Sequence, residues 1–240
     1  MRTIPNDDQG LMLRPLLLSS LIFCAIFFCA IDACAQTPPN PATSPDSPIV
    51  TFTLDFPQSS PEHYSIRVPS NGPAHYESSG RLSADSDFSD SFSYDFSISP
   101  ELRSKIFALA AKAGYFQKEL DAHHKNIAFT GKKTLRYSDP ARTGESTYNF
   151  STNATVQELT ALFQNLSATL EFGHRLDYYR RYQKLALEEE LKRMQEMARD
   201  NTLIEVAAIQ PILERIVADQ SVINVTRARA QRLMAAGTGR

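Results

Sequence analysis

Apolar and polar side chains alternate along two short segments of the chain, which is the pattern of a β-strand with one buried face. In residues 50–56, Val, Phe, Leu and Phe take every second position, with Thr or Asp between them. Residues 92–98 repeat the pattern with Phe, Tyr, Phe and Ile separated by Ser and Asp. We therefore predict a half-buried strand in each segment. Shorter strand-like segments lie at 63–68, 75–78, 127–130, 133–137 and 147–151.

A hairpin turn is indicated at 70–73, where the sequence reads Ser-Asn-Gly-Pro, because Asn and Gly tolerate positive φ. Two pairing registers fit the flanking segments. A loop of Asn, Gly and Pro sets Val68 across from Tyr76, whereas the next register sets Ile66 across from Glu77. We favour the first register.

A helix start is indicated at 99–101, where Ser can cap the helix, Pro suits the first helical position and Glu follows. Apolar residues then share one face until Gly114, near which we expect the helix to end. A second helix is predicted from Thr155 and Glu158, which have the spacing of a capping box. We expect Gly173 to bend or end that helix.

Beyond Gly173 every periodic segment is helical, with stretches to about 199, from 202 to 219 and from 221 to 234. Thr202 and Glu205 again have capping-box spacing, and Pro211 should kink the helix that contains it. We predict that the apolar positions of this region pack mainly on one another. They are Leu176, Leu185, Leu191, Leu203, Ile209, Leu213, Ile216 and Leu233.

The N-terminus has the composition of an export signal. An uncharged apolar run occupies 16–31, at or below the lower length limit for a helix that spans a bilayer. Arg14 precedes it, and Ala33 and Ala35 give the small residues that signal peptidase recognises, so we predict cleavage before Gln36. All three cysteines lie in this region, so the cleaved chain would contain no thiol.

Two alternatives stay open at the N-terminus. Cys34 follows a small residue and precedes a proline-rich stretch, so it could carry a lipid as a lipoprotein anchor. The apolar run could also remain uncleaved. Translation could start at Met12 instead of Met1, because Met12 stands just before Arg14 and the apolar run.

These patterns predict four parts of the chain: a signal peptide at 1–35, a Pro-rich disordered tether at 36–48, an α+β domain at 49–172 and a helical extension at 173–240. The predicted fold class is α+β, with an antiparallel sheet covered by helices and followed by an all-α C-terminal extension. The predicted location is outside the cytoplasm, in the periplasm or the extracellular space.

The charge balance narrows the choice of partners. With 25 basic and 27 acidic residues the formal net charge is −2, which gives no reason to expect a nucleic-acid partner. We expect a protein partner. Membrane contact is expected only through the signal segment or a lipid on Cys34.

One C-terminal segment resembles a unit of a HEAT repeat, a family in which two helices flank a turn aspartate that an arginine follows. The residues that carry the resemblance are Ile212, Leu213, Asp219, Val225, Arg227, Ala230 and Leu233. The whole chain also resembles exported bacterial proteins in which a small strand-and-helix domain precedes a helical tail. The resemblance implies the two-part layout and no particular activity.

Two acidic clusters were considered as metal sites. Glu119, Asp121, His123 and His124 include the ligand types of zinc, but adjacent histidines diverge and no third ligand follows at a typical interval. Asp85, Asp87 and Asp90 lie in a Ser-rich stretch, but the glycine and glutamate of an EF-hand loop are missing. We therefore predict no metal and no cofactor.

The segment 178–184 combines Tyr with Arg and Lys, a composition used for binding nucleic acids. Acidic residues four positions before basic ones favour instead a helix face covered by ion pairs. The predicted pairs are Glu171 with Arg175, Asp177 with Arg181, Glu188 with Lys192 and Glu189 with Arg193.

No catalytic motif is present: the sequence has no Gly-x-Ser-x-Gly elbow, Walker loop or dinucleotide fingerprint. We therefore favour a non-catalytic interaction or scaffold module of the cell envelope. The alternative is an envelope hydrolase that uses a carboxylate with a histidine. Its candidate pairs are Asp121 with His123 and Glu77 with His75. An apolar or tyrosine-rich groove between the helices would favour binding, whereas a pair inside a deep pocket would favour hydrolysis.

Overall fold

The computed structural model describes residues 47–57, 59–81, 89–200 and 202–237, all of which belong to one compact unit, Asn40–Arg240. The predicted signal peptide, with Ala33, Ala35 and Gln36, lies outside the described residues. So do Cys34, both alternative start sites, nearly all of the predicted tether, and Asp85 and Asp87.

The described strands form one six-stranded antiparallel sheet in the order β4-β3-β2-β1-β5-β6. The strands are β1 (Ile49–Asp55), β2 (His63–Pro69), β3 (Ala74–Arg81), β4 (Ser89–Phe96), β5 (Lys132–Ser138) and β6 (Thr143–Tyr148). The helices are α1 (Pro100–Lys112), α2 (Ala154–Tyr182), α3 (Ala186–Arg199), α4 (Gln210–Ala218) and α5 (Asn224–Gly237). Short 3-10 turns cover Gly114–Phe116 and Val206–Ile209. The predicted α+β class with a helical C-terminal part is confirmed.

Helices α1 and α2 cover one face of the sheet. Phe52 is fully buried, and its ring stacks on Phe163 of α2 with the centroids 5.2 Å apart. Phe96 is buried as the alternation predicts, but Phe92 and Tyr94 are only partly buried. The reason is that β4 is an edge strand, so its inner face is covered from one side only.

The predicted strand at 127–130 is wrong, because this segment is irregular and exposed. The last strand also begins earlier than predicted, at Thr143. Gly144 lets the 3-10 turn approach this strand closely: a Cβ at Gly144 would lie 2.1 Å from the carbonyl oxygen of Tyr115.

Both hairpin registers considered for β2 and β3 are wrong, since Ile66 pairs with Tyr76. The connection is longer than a three-residue loop, and Arg103 of α1 holds it by donating to the carbonyl oxygens of Pro69 and Gly72. The register differs from the favoured one by two residues. Because side chains alternate with a period of two, every residue keeps its predicted face.

Helix α2 neither ends nor breaks at Gly173 but continues to Tyr182. The glycine serves close packing. A Cβ there would lie 2.7 Å from Cγ2 of Ile209 and 3.0 Å from Cδ1 of Ile212. The predicted division at Gly173 therefore falls inside one continuous helix.

The predicted helix starts are partly correct. Ser99 caps α1 as expected, and its Oγ accepts a hydrogen bond from the backbone N–H of Leu102. Asn153, not Thr155, caps α2. Pro211 does not kink a helix but lies in the first turn of α4, where its missing N–H removes no helical hydrogen bond.

The apolar positions predicted to pack together after Gly173 are buried, apart from Leu185, which is 92 % exposed. The region also contacts the sheet side of the molecule. The hydroxyl of Tyr94 donates to the carbonyl oxygen of Ala208, and the hydroxyl of Thr169 donates to that of Ile204. In the described part of the chain, no helix combines the length and apolarity needed to cross a bilayer.

Candidate functional site

The histidine cluster considered for zinc lies in solvent. His123 and Glu119 form an exposed ion pair, with 2.6 Å between Nε2 and Oε1. Asp121 accepts hydrogen bonds from the backbone N–H groups of His123 and Asn149, and the first of these is the main reason why its pKa lies below the usual value. Asp121 thus orders the loop through backbone contacts, while the His123 ring bonds to Glu119. Among the described residues, no three His, Cys, Asp or Glu side chains converge as a metal site would require.

The second predicted pair lies on the open face of the sheet, opposite α1 and α2. His75 bridges two carboxylates, with Nδ1 2.6 Å from Asp95 and Nε2 3.0 Å from Glu77. Partial burial would lower the pKa of His75, but its hydrogen bonds to the carboxylates of Asp95 and Glu77, which accept them, raise it overall. These residues form no deep pocket, so neither predicted pair has the surroundings that the hydrolase hypothesis requires.

The ion pairs of the helical part differ from those predicted by spacing. Only Asp177 and Arg181 pair as expected, at 2.5 Å. Arg175 and Arg193 both bind Glu190, and Glu188 binds Arg229 of α5. The Arg193–Glu190 pair lies within α3, whereas Arg175–Glu190 joins α2 to α3 and Arg229–Glu188 joins α5 to α3. Three predicted pairs do not form: Glu171 with Arg175, Glu188 with Lys192 and Glu189 with Arg193.

A buried polar cluster lies where β3 and β4 meet α2. Tyr76 and Ser78 occupy alternate positions of β3 and both donate to Oε1 of Glu171, each at 2.7 Å. One turn further along α2, Nε2 of His174 lies 3.0 Å from Asp90. The His174 ring also stacks on Phe92 of β4, with the centroids 4.2 Å apart. This glutamate–histidine cluster was missed by the sequence analysis.

The ionisation of the glutamate–histidine cluster follows from its contacts. Burial alone would raise the pKa of Glu171, but its donors and the neighbouring His174 hold it below the usual value. Nδ1 of His174 lies 3.6 Å from Oε2 of Glu171, beyond ordinary hydrogen-bond distance, and has no hydrogen-bond partner among the described residues. Burial is also the main reason why the pKa of Tyr76 is raised.

The chemistry open to this cluster is limited by space. The gap between Ser78, Asp90, Glu171 and His174 measures about 10 Å³, which is the size of one water molecule. A substrate has no room beside Ser78 in this arrangement. The cluster therefore fits a structural role, in which paired polar groups join α2 to the edge of the sheet.

A groove of about 700 Å³ opens between the end of α3, the segment 203–207, the end of α5 and the start of α1. We call it the α3–α5 groove. Its volume is in the range of ligand-binding pockets. Leu203 and Leu233 form apolar parts of its lining, while small side chains leave the space open. The small residues are Ala198, Ala207, Ala236 and Gly237.

Glu205 joins the groove to the strand side of the molecule. It has a left-handed backbone, with φ of 53°, which is uncommon for a residue other than glycine. This conformation points its carboxylate at the start of α1, where Oε2 accepts the backbone N–H of Ser99 at 3.1 Å. A negative charge at a helix N-terminus is favourable, so the contact holds one wall of the groove in place.

Charges of both signs border the α3–α5 groove. Glu101 comes from α1, whereas Arg199 comes from α3 and Arg232 from α5. Within the described residues, Glu101 and Arg199 have no ion-pair partner, and both are exposed. The groove therefore combines an apolar lining with charges that remain open to a ligand.

A comparison of the sequence with known protein families and with curated proteins found no match. The resemblance to HEAT repeats and to exported two-part proteins stays a prediction. In the structure, Asp219 follows α4 and its carboxylate accepts from Ser221 while lying 3.4 Å from Nζ of Lys184.

Proposed function

We propose that this protein is an exported, non-catalytic binding module of the cell envelope, and that it holds an apolar segment of a partner protein in the α3–α5 groove. The observation that carries the proposal is the groove itself: an open, largely apolar space of about 700 Å³ between helix ends. Export is supported by the apolar run at 16–31 and by Ala33 and Ala35 before Gln36. Measuring the intact mass of the exported chain tests whether it is cleaved before Gln36.

The lining of the groove suits a peptide segment. Leu203, Val206 and Leu233 offer apolar contacts, and Arg199 and Glu101 offer charges of opposite sign. A protein segment with apolar side chains and flanking charged groups matches both properties, as in the docking of amphipathic helices into grooves. Several lining residues are exposed, so the partner can reach them without any opening of the fold.

The hydrolase alternative has less support. Its two predicted pairs lie in exposed positions, and the glutamate–histidine cluster around Glu171 leaves space for about one water molecule only. Catalysis there would need a rearrangement that admits a substrate next to Ser78.

The test uses a photo-reactive amino acid at Ala207, an exposed residue in the lining of the groove. In cells that export the chain, we expect irradiation to link it to one partner protein. Ala236→Trp places a large side chain in the groove without removing a packed group. It should reduce the crosslink at least about tenfold, while the thermal unfolding temperature stays unchanged.

The matched control is Ala111→Trp, which changes an exposed alanine on α1 outside the groove lining. It should leave the crosslink at its full yield. A crosslink that survives Ala236→Trp would contradict the proposal. So would a lipid found in the groove by native mass spectrometry in place of a protein segment.

A further inference from the structure

Two helix connections lie side by side at one end of the helical part. The α2–α3 connection covers 183–185, and the α4–α5 connection covers 219–223. Lys184 joins them, because its Nζ donates to Oγ of Ser221 and lies 3.4 Å from Asp219. We call this end the helical tip and define its exposed apolar residues as Tyr182, Leu185, Ile223 and Val225.

A second set of contacts brings the start of α3 next to the start of α5. Glu188, in the first turn of α3, accepts hydrogen bonds from the hydroxyl of Thr226 at 3.1 Å and from the guanidinium of Arg229 at 2.6 Å. Leu185 lies one turn before Glu188, and Val225 lies one residue before Thr226. The segments that carry the apolar residues of the helical tip are therefore neighbours in space, although they come from distant parts of the chain.

The helical tip concentrates the exposed apolar side chains of the molecule. Among the described residues, six large apolar side chains stay exposed, and four of them are the residues of this tip. Leu185 is the extreme case at 92 %. Single exposed apolar side chains are common on protein surfaces, whereas several that lie close together mark an interaction site.

The helical tip also carries more positive than negative charge. Asp177 lies within 3.4 Å of Arg180, Arg181 and Arg215. Asp219 lies 3.4 Å from Lys184 and 4.0 Å from Arg180. Four cations thus share two carboxylates.

The neighbouring charges do not cancel this excess. The start of α3 carries Glu188, Glu189 and Glu190, of which Glu190 binds Arg175 and Arg193 and Glu188 binds Arg229 of α5. The local excess is positive although the whole chain has a formal net charge of −2.

From this combination we infer that the helical tip docks on an anionic lipid bilayer, a second interaction surface distinct from the α3–α5 groove. Protruding aliphatic side chains can enter the headgroup region, where tyrosine is also favoured. The surrounding cations are attracted to anionic headgroups. The contact would be interfacial, since none of the described helices can cross a bilayer.

A lipid surface fits this tip better than a protein does. A stable protein interface buries about 800 Å² on each partner and relies on closely packed shape complementarity. Four side chains that protrude from two connections provide neither a groove nor such an area. Insertion into a bilayer needs only that a few apolar side chains leave water while cations meet headgroups.

The test is cosedimentation of the chain that begins at Gln36 with vesicles. This form retains the compact unit at 40–240 and lacks the apolar run at 16–31, which would itself bind bilayers. We expect binding to vesicles of equal parts phosphatidylcholine and phosphatidylglycerol in low salt. Binding should weaken in high salt and should be much weaker to phosphatidylcholine alone.

Two double variants separate the contributions. Leu185→Ser with Ile223→Ser should weaken binding at least about tenfold, because the inserting side chains are lost. Arg181→Gln with Lys184→Gln should weaken it by about fivefold for each charge removed. The matched controls are Ile127→Ser, an exposed apolar residue of the strand part, and Lys112→Gln with Lys118→Gln. Both controls should bind as the unchanged chain does.

The proposal is overturned if the chain does not sediment with anionic vesicles. It is also overturned if the helical-tip variants bind as strongly as the controls. A protein crosslinked from position 185 in cells, together with no vesicle binding, would assign the helical tip to a protein partner instead.

Discussion

The strand part and the helical part of this molecule are held together in different ways. Between the sheet and α2 the interior is aromatic and closed, with Phe52 stacked on Phe163 and only a water-sized gap near Glu171. The helical part has an aliphatic interior whose helices are also tied by charges, such as Glu190 between Arg175 and Arg193. Both the α3–α5 groove and the helical tip lie in this second part. The difference is one between a closed strand part and a more open helical part, which carries both surfaces that we propose for binding.

Among the contacts that join the two parts, three involve the segment 205–212. Gly173 allows α2 to pack against Ile209 and Ile212, Glu205 binds the start of α1, and Tyr94 bonds to Ala208. Each of these contacts joins a residue of the strand part or α2 to the segment 205–212. These three contacts lie at the segment 205–212, whereas the helical tip is formed by residues of 182–185 and 219–225.

The largest effect is expected inside the closed part. Phe52→Ala removes a fully buried ring, and with it the stacking contact with Phe163. The free energy of unfolding should fall by about 3 to 5 kcal/mol in denaturant titration. The control Phe129→Ala removes a ring that is 59 % exposed and should cost less than about 1 kcal/mol. Equal losses for the two variants would mean that the sheet face is not the main core.

The second effect tests the junction between the parts. Gly173→Val places atoms where Ile209 and Ile212 already pack, and overpacking of this kind costs about 1 to 3 kcal/mol. Ala161→Val changes an exposed position of the same helix. It should lower the free energy of unfolding by only about 0.5 kcal/mol, because valine has a lower helix propensity than alanine. A neutral Gly173→Val, or a cooperative melt of residues 173–240 on their own, would show that the helical part does not depend on this contact.

The smallest effect concerns acid stability. A group whose pKa is lower in the folded protein stabilises the fold above its unfolded pKa, and this contribution is lost as the pH falls through the folded pKa. For Glu171 the usual value is 4.5 and the folded value is lower. Glu171→Gln should therefore cost about 1 to 3 kcal/mol at neutral pH.

The difference between the unchanged protein and Glu171→Gln should be constant above the usual pKa of 4.5 and shrink as the pH falls below it. Glu77→Gln is the control, since Glu77 is exposed and pairs with His75 on the open face. It should change the free energy of unfolding by less than about 0.5 kcal/mol. A difference for Glu171→Gln that does not depend on pH would mean that the pKa of Glu171 is the same in the folded and the unfolded protein. A difference that shrinks as the pH rises above 4.5 would mean that Glu171 is protonated in the folded protein.

Local sequence patterns predicted most elements of the fold but little of the candidate sites. The alternation at 50–56 was sufficient to predict β1, and Ser99 was sufficient to predict the start of α1. Strand faces and helix starts depend on nearby residues. The glutamate–histidine cluster was missed although a signal existed. Ser167, Glu171 and His174 are polar residues at helical spacing on a face that also carries Leu166 and Leu170. Such polar residues on an apolar face indicate a buried polar contact.

The sequence by itself determined the α+β class, the faces of the strands and the apolar positions of the helices, because each follows from a short period along the chain. Only the tertiary structure decided the β2–β3 register, which Arg103 of α1 holds, and the role of Gly173 as a packing contact. It also decided that Glu188 and Glu190 pair across helices and that Ala198 and Ala236 leave a groove open. These features depend on residues that are far apart in the chain and meet only when the helices pack, so no local period could reveal them.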